Sequence, residues 1–320
     1  MQALVFDGRE ARVVERPAPE PAPGMAVVAV RWAGVCRTDL ELCRGYMDFR
    51  GVLGHEFVGR VVEGPDAWRG ARVVGEINFA CGRCDACARG LGRHCPQRTV
   101  MGIAGADGAI AERVAVPVAN LHRVPDAVAD ERAVFAEPLA AAHEILEQVA
   151  VAPGTRAVVL GDGKLGLLVA QVLGAAGARV TALGHHDAKL ALLARRGIET
   201  ARAEAWNGPP APLVVEATGS VAGFRRAIAL CQPRGTLVLK STVAAQEALD
   251  LAPIVIHEIR VVGSRCGPFA PALAALAAER VDVDGLVSDR LPLARAADAL
   301  ARAAERGALK VLIDCGAPRV

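Results

Sequence analysis

Between residues 156 and 176 an apolar, β-branched stretch (Arg156–Leu160) runs straight into Gly161-Asp162-Gly163-Lys164-Leu165-Gly166 and on into the Ala/Leu-rich stretch Leu165–Ala176. A lone GxGxxG run says little. Where a strand hands over to a helix, it constrains the whole fold. The glycines permit a tight turn and a close backbone approach, and the helix start offers a pyrophosphate its free N–H groups and positive dipole end. The plainer alternative is a structural glycine turn without a ligand. The pattern continues with strand-like Arg179–Leu183, helix-like Ala188–Arg196, and the apolar runs Leu213–Glu216, Thr236–Lys240 and Arg260–Gly263. Strands alternating with helices build a parallel, doubly wound sheet of the Rossmann type. Gly161, Gly163, Lys164, Leu165 and Gly166 are therefore candidate dinucleotide contacts, and Thr218, just past Leu213–Glu216, is counted with them.

The choice of dinucleotide is read at the end of the next strand, at Gly184-His185-His186. An NAD site usually places an acid there for the ribose 2′-hydroxyl. The nearest acid, Asp187, lies beyond the tip and suits the N-cap of the helix from Ala188. With no carboxylate at the tip a 2′-phosphate meets no repulsion, and His185 and His186 are available as donors. NADP is favoured over NAD on this reading; the alternative is that both histidines are exposed loop residues.

The first 120 residues have another texture, with short β segments at Ala26–Arg31, Phe57–Val62, Ala71–Val74 and Arg113–Val116 set between glycines and prolines. A chain of 320 residues suits about two domains. A net charge of +2 argues against nucleic acid and anionic membranes, and one Tyr with three Trp leaves no stacking platform for bases. The most apolar region, Ala157 to Leu183, is broken by Asp162, Lys164 and Arg179, short of the roughly 20 apolar residues of a membrane span. No secretory signal is visible, and a cytoplasmic protein is expected. There, nine clustered and scattered cysteines point to metal rather than disulfides.

Four of them form Cys81-x2-Cys84-x2-Cys87-x7-Cys95. Four thiolates so closely spaced can close a tetrahedron around one zinc and leave no position for substrate. An iron–sulfur cluster uses the same ligands. Either way the site is structural. A dispersed set is different: Cys36 in Gly34-Val35-Cys36-Arg37-Thr38-Asp39, His55 in Gly54-His55-Glu56, and Glu137 in Ala136-Glu137-Pro138-Leu139. A thiolate, an imidazole and a carboxylate give zinc three ligands and keep a fourth position open, as catalysis requires.

With these motifs the chain resembles the zinc-containing medium-chain dehydrogenase/reductase family of alcohol and polyol dehydrogenases, from the Cys36 segment to the closing Gly307-Ala308-Leu309-Lys310-Val311. The resemblance implies an α/β protein with a GroES-like, β-rich catalytic domain (residues 1–137 and 267–320) enclosing a Rossmann domain (138–266). It also implies a cleft where zinc meets nicotinamide, and a homodimer or homotetramer. By the same resemblance Cys36, His55 and Glu137 hold the catalytic zinc. Glu56 approaches the metal during ligand exchange, Asp39 orients the imidazole, Arg37 contacts pyrophosphate and Thr38 takes the substrate's proton. The family often has a histidine where this chain has Glu41, which either relays the proton or is a surface residue while water does so. The expected enzyme carries two zincs, one catalytic and one structural, and moves a hydride between NAD(P) and an alcohol or polyol or its carbonyl product. The alternatives are an NADPH-dependent carbonyl reductase and a non-catalytic nucleotide-binding regulator; the ligand set disfavours a zinc-free quinone reductase.

Overall fold

In the computed structural model, which describes residues 1–242 and 248–316, the chain divides into two compact units, Met1–Glu137 with Leu286–Val320 and Pro138–Gly285. The expected boundary between 266 and 267 differs from this, since residues 267–285 go with the second unit. Their contacts explain it. Gln171 donates from Nε2 to the Asp282 carbonyl (3.0 Å) and its Oε1 accepts the Asp282 N–H (2.7 Å). The Arg196 guanidinium donates to the carbonyls of Glu279 and Arg280. Residues 243–247 and 317–320 of the expected domains lie outside the described residues.

The first unit is built on the long strand Met25–Gly34, buried along nearly its whole length. It pairs antiparallel with Glu56–Glu63, Arg113–Pro117 and Lys310–Asp314 in a seven-stranded sheet, so residues far apart in sequence lie side by side. Gly34 stands opposite both Glu56 and Leu312. The short hairpin Gln2–Phe6 with Ala11–Glu15 forms a separate sheet that the apolar pattern of the sequence does not announce.

The second unit is a six-stranded, wholly parallel sheet. Taken in chain order its strands are Arg156–Leu160, Arg179–Gly184, Glu199–Arg202, Ala211–Glu216, Cys231–Leu239 and Arg260–Gly263, and they lie in the spatial order third, second, first, fourth, fifth, sixth. That order reverses direction between the first and fourth strands, the place where such sheets bind dinucleotides. Val158, Leu160, Leu183, Val214 and Leu237 are among its core residues. Glu199–Arg202 was not foreseen, because Glu-Thr-Ala-Arg lacks an apolar run. Among the described residues no helix is long and apolar enough to cross a membrane.

Candidate metal and dinucleotide sites

Cys36 ends the approach to the helix Arg37–Leu42 and occupies its N-cap. The fully buried Asp39, one turn on, accepts the Cys36 N–H at 2.7 Å through Oδ2 and the Gly54 N–H at 3.2 Å through Oδ1. The same Oδ1 lies 3.5 Å from Nδ1 of buried His55, at the outer limit of a hydrogen bond. One carboxylate thus locks together the two segments that bear Cys36 and His55. The ligand atoms of Cys36, His55 and Glu56 fall within 4.8 Å of one another. Burial alone would lower the basicity of His55; the charges of Asp39 and Cys36 outweigh it and hold the pKa well above the ordinary imidazole value. Such a pocket is suited to a cation.

The carboxylate gathered here is that of Glu56. Glu137, expected as the third ligand, stands in the first turn of the helix Ala136–Gln148, outside that group of atoms. Glu56 is held by Lys310 in an ion pair with both side chains buried, and the Lys310 ammonium sits 5.6 Å from the centre of the Phe135 ring. The pair fits only because residue 34 is glycine: a Cβ there would stand 2.5 Å from Glu56 Oε2 and 2.8 Å from Val134 Cγ1. Lys310 is the residue that sequence reasoning missed. Its signal was a lone cation in an otherwise apolar strand, Leu309-Lys310-Val311-Leu312-Ile313.

Thr38 Oγ1 lies 3.7 Å from Cys36 Sγ, next to the metal ligands. Glu41 Oε1 accepts from Arg37 Nε (2.9 Å) and Arg44 Nη1 (3.0 Å), which places Arg37 in a surface ion pair.

Cys81, Cys84, Cys87 and Cys95 come together as free thiols, with Cys84 Sγ 3.5 Å from Cys87 Sγ and 3.7 Å from Cys95 Sγ. A single zinc about 2.3 Å from each of four sulfurs sets them about 3.8 Å apart, so the spacing fits one tetrahedral ion. A polynuclear iron–sulfur cluster spreads its thiolates over several metal atoms and holds them farther apart. A backbone hydrogen bond at Arg83 is the main influence that lowers the Cys81 thiol. At Cys84 a backbone hydrogen bond at Cys87 is outweighed by desolvation and by the thiol neighbours, which push that thiol up, so the cluster shares its negative charge unevenly without a metal.

In the second unit the glycine-rich turn has the form a pyrophosphate requires. Gly161 has φ +122°, and a Cβ on Gly166 would lie 1.9 Å from the Gly161 carbonyl oxygen. Gly163, the N-cap of the helix Lys164–Ala175, has no side-chain cap and would meet nothing within 4 Å if it carried a Cβ. Lys164 and Leu165 open that helix. Thr218 is fixed beside the turn by Glu216, whose Oε1 accepts its N–H at 2.6 Å and its hydroxyl at 2.5 Å. These features fit a dinucleotide.

At the strand tip the structure departs from expectation. Gly184, His185 and His186 are where the sequence puts them, yet a carboxylate is present, supplied by Asp162 of the glycine-rich turn. Its Oδ2 accepts the N–H groups of His185 and His186 (2.7 Å each), and His186 Nδ1 lies 2.9 Å away. His185 Nδ1 meets Glu204 Oε2 at 3.1 Å. Asp187 is not the N-cap; His186 is, and Asp187 lies in the first turn with Arg202 Nη1 3.4 Å from its Oδ1.

Comparison with known proteins shows the family. Residues 22–126 match the alcohol dehydrogenase GroES-like domain, and residues 165–279 match the zinc-binding dehydrogenase domain. A sorbitol dehydrogenase of Halalkalibacterium halodurans is 30% identical over 94% of each chain. Among solved structures, the alcohol dehydrogenase TADH from Thermus sp. superposes with a TM-score of 0.89 at 30% identity, covering 98% of this chain and 99% of the other. An Escherichia coli short chain alcohol dehydrogenase complexed with NADH gives 0.90 at 25% identity over 98% and 99%.

Proposed function

Because this chain belongs to the zinc-containing medium-chain dehydrogenase/reductase family, we propose that Cys36 and His55, completed by Glu137, hold its catalytic zinc and that its substrate is a polyol-class alcohol or the matching carbonyl compound. The protein is a zinc-dependent oxidoreductase that transfers a hydride between a nicotinamide dinucleotide and an alcohol or its carbonyl product. The observation that carries the assignment is the convergence of Cys36, His55 and the Glu56 carboxylate, which supports the first two as ligands; Glu137 as the third rests on the family resemblance alone. When bound, the zinc supplies a Lewis acid to the substrate oxygen and the nicotinamide gives or takes the hydride.

The chain's own side chains do the rest. Asp39 fixes the Cys36 backbone and orients the His55 ring, so the ligands are set before metal arrives. Lys310 holds Glu56 by its carboxylate, restraining a second acid that lies within reach of the same ligands. Thr38, beside Cys36, is placed to take the substrate's proton. The two guanidiniums on Glu41 support its reading as a surface residue, with water carrying the proton onward.

Cys81, Cys84, Cys87 and Cys95 hold a second, structural zinc on this proposal, giving two per chain; the sulfur spacing supports it. The expectation of NADP in preference to NAD rests on His185 and His186 as donors and on a residue 184 without an acid. The carboxylates of Asp162 and Glu204, which pair with the same imidazoles, weigh toward NAD. A homodimer or homotetramer is supported by the edge strand Arg260–Gly263, paired on one side only among the described residues, next to Val255 and Ile256, which are 76% and 72% exposed. Nine free thiols suit a cytoplasmic location.

The test is Cys36→Ser, assayed for reduction of NAD(P) over a panel of alcohols, polyols and aldehydes. The loss of one ligand to the Lewis acid, several kcal/mol of transition-state stabilisation, lowers turnover by at least about 100-fold while dinucleotide binding persists. Turnover within twofold of wild type would remove the catalytic-zinc assignment.

A further inference from the structure

A glycine-rich turn of the form GxGxxG binds pyrophosphate through backbone N–H groups and leaves the residue between its first two glycines free to vary. Here that residue is an acid, Asp162. Its side chain turns under Gly184, into the space where a side chain on the second strand's tip would begin. A Cβ on Gly184 would stand 2.5 Å from Asp162 Cβ, 2.7 Å from Cγ and 2.6 Å from Oδ2. Only glycine at 184 admits the carboxylate. Three donors converge on Oδ2, namely the backbone N–H groups of His185 and His186 and the His186 ring, and the Asp162 side chain is only 10% exposed. Glycine at 184 and aspartate at 162 are two halves of one arrangement.

In a sheet of this order, an acid at the end of the second strand reads the hydroxyls of the adenosine ribose and excludes a phosphate on the 2′ position. We propose that Asp162 is the dinucleotide-selecting residue: a carboxylate brought from inside the glycine-rich turn takes the place of the missing strand-tip acid and discriminates against the 2′-phosphate of NADP. The neighbouring charges act in the same sense. Beyond Asp162, two more carboxylates, Asp187 and Glu204, flank the Arg202 guanidinium, which pairs with Glu204 at 3.0 Å and with Asp187 at 3.4 Å. The two imidazoles that seemed free to receive a phosphate already face acids, His186 on Asp162 and His185 on Glu204. An arriving dianion finds its donors engaged and net negative charge behind them.

The inference rests on the dinucleotide reading of residues 161–166. It is tested by the dissociation constants of NADH and NADPH, measured by protein fluorescence on the zinc-loaded enzyme, for wild type, Asp162→Asn and Asp162→Ser. Asparagine keeps the shape and an acceptor oxygen while removing the charge; serine is a second probe should asparagine disturb folding, judged by circular dichroism. Wild type binds NADH at least tenfold more tightly than NADPH. In both variants the ratio moves at least tenfold toward NADPH, with NADH affinity changed less than NADPH affinity. A wild type that prefers NADPH, or a ratio that stays within twofold in both variants, overturns the inference and leaves the dinucleotide site standing. Failure of wild type to bind either dinucleotide overturns the site itself, and the inference with it.

Discussion

Asp39 and Asp162 are both buried carboxylates that grip backbone N–H groups, and each sets a functional group that no local propensity would place. Asp39 accepts from Cys36 and Gly54 and thereby fixes the thiol and the imidazole at one point. Asp162 does the same for the turn at His185 and His186. Burial pushes the Asp162 pKa up, but the His186 ring and the two backbone N–H groups outweigh it, and the carboxyl is held below the usual range. A carboxyl whose folded pKa lies below its unfolded value adds stability above the unfolded pKa, about 3.9, and loses it as the pH falls through the folded one. The stability gap between wild type and Asp162→Asn, read from urea midpoints, therefore closes progressively as the pH falls below about 4. A gap that does not change with pH contradicts this. At this scale the sequence was most and least readable at once. Cys36 and His55 were legible as candidate ligands from residue type and from the short motifs that carry the family resemblance. Lys310 and the role of Asp162 were not, because each acts on a residue far along the chain, Glu56 and Gly184, and pairings of that kind exist only once strands are in register.

On the proposal of a structural zinc, the element that depends most on metal is the segment from Cys81 to Cys95. Its helix Asp85–Ala88 has four residues and the following 3-10 turn, Gly92–His94, has three. Cys95 is its only buried residue, so no apolar core holds it. A segment of this kind folds on its ion. Cys95→Ser therefore exposes Arg83, Arg89 and Arg93 to trypsin, and cleavage in this segment accelerates at least tenfold while the rest of the chain resists. Unaltered cleavage would show that the segment holds itself together. The glycine-rich turn needs no such help, since its strand and helix are buried on the parallel sheet. Both elements were legible before folding was known, for the same physical reason: a cysteine cluster and a strand-turn-helix junction are local. The edge strand Glu199–Arg202 and the second strand of the N-terminal hairpin, Ala11–Glu15, were missed because their burial is slight and no apolar run reports them.

For the whole molecule, the sequence showed two textures, β-rich and alternating, and these correspond to two compact units. It did not show where the chain returns to the first unit. The helix Phe269–Ala277 reads like any other Ala/Leu helix, and only its ties to Gln171 and Arg196 through the residues that follow assign it to the second. The return, from Leu286 on, leads to the strand Lys310–Asp314, which pairs with Met25–Gly34 and brings Lys310 to Glu56, so the proposed catalytic site depends on a strand far along the chain. The central claim is that this chain holds two separate ions, one for chemistry at Cys36 and His55 and one for structure at the four-cysteine cluster. Counting zinc per chain in wild type and in Cys36→Ser, by elemental mass spectrometry after exhaustive dialysis, tests it most directly. Two ions in wild type and one in the variant, with its trypsin resistance at the cysteine cluster intact, is the predicted result. A single ion in wild type, or two retained in the variant, would contradict it.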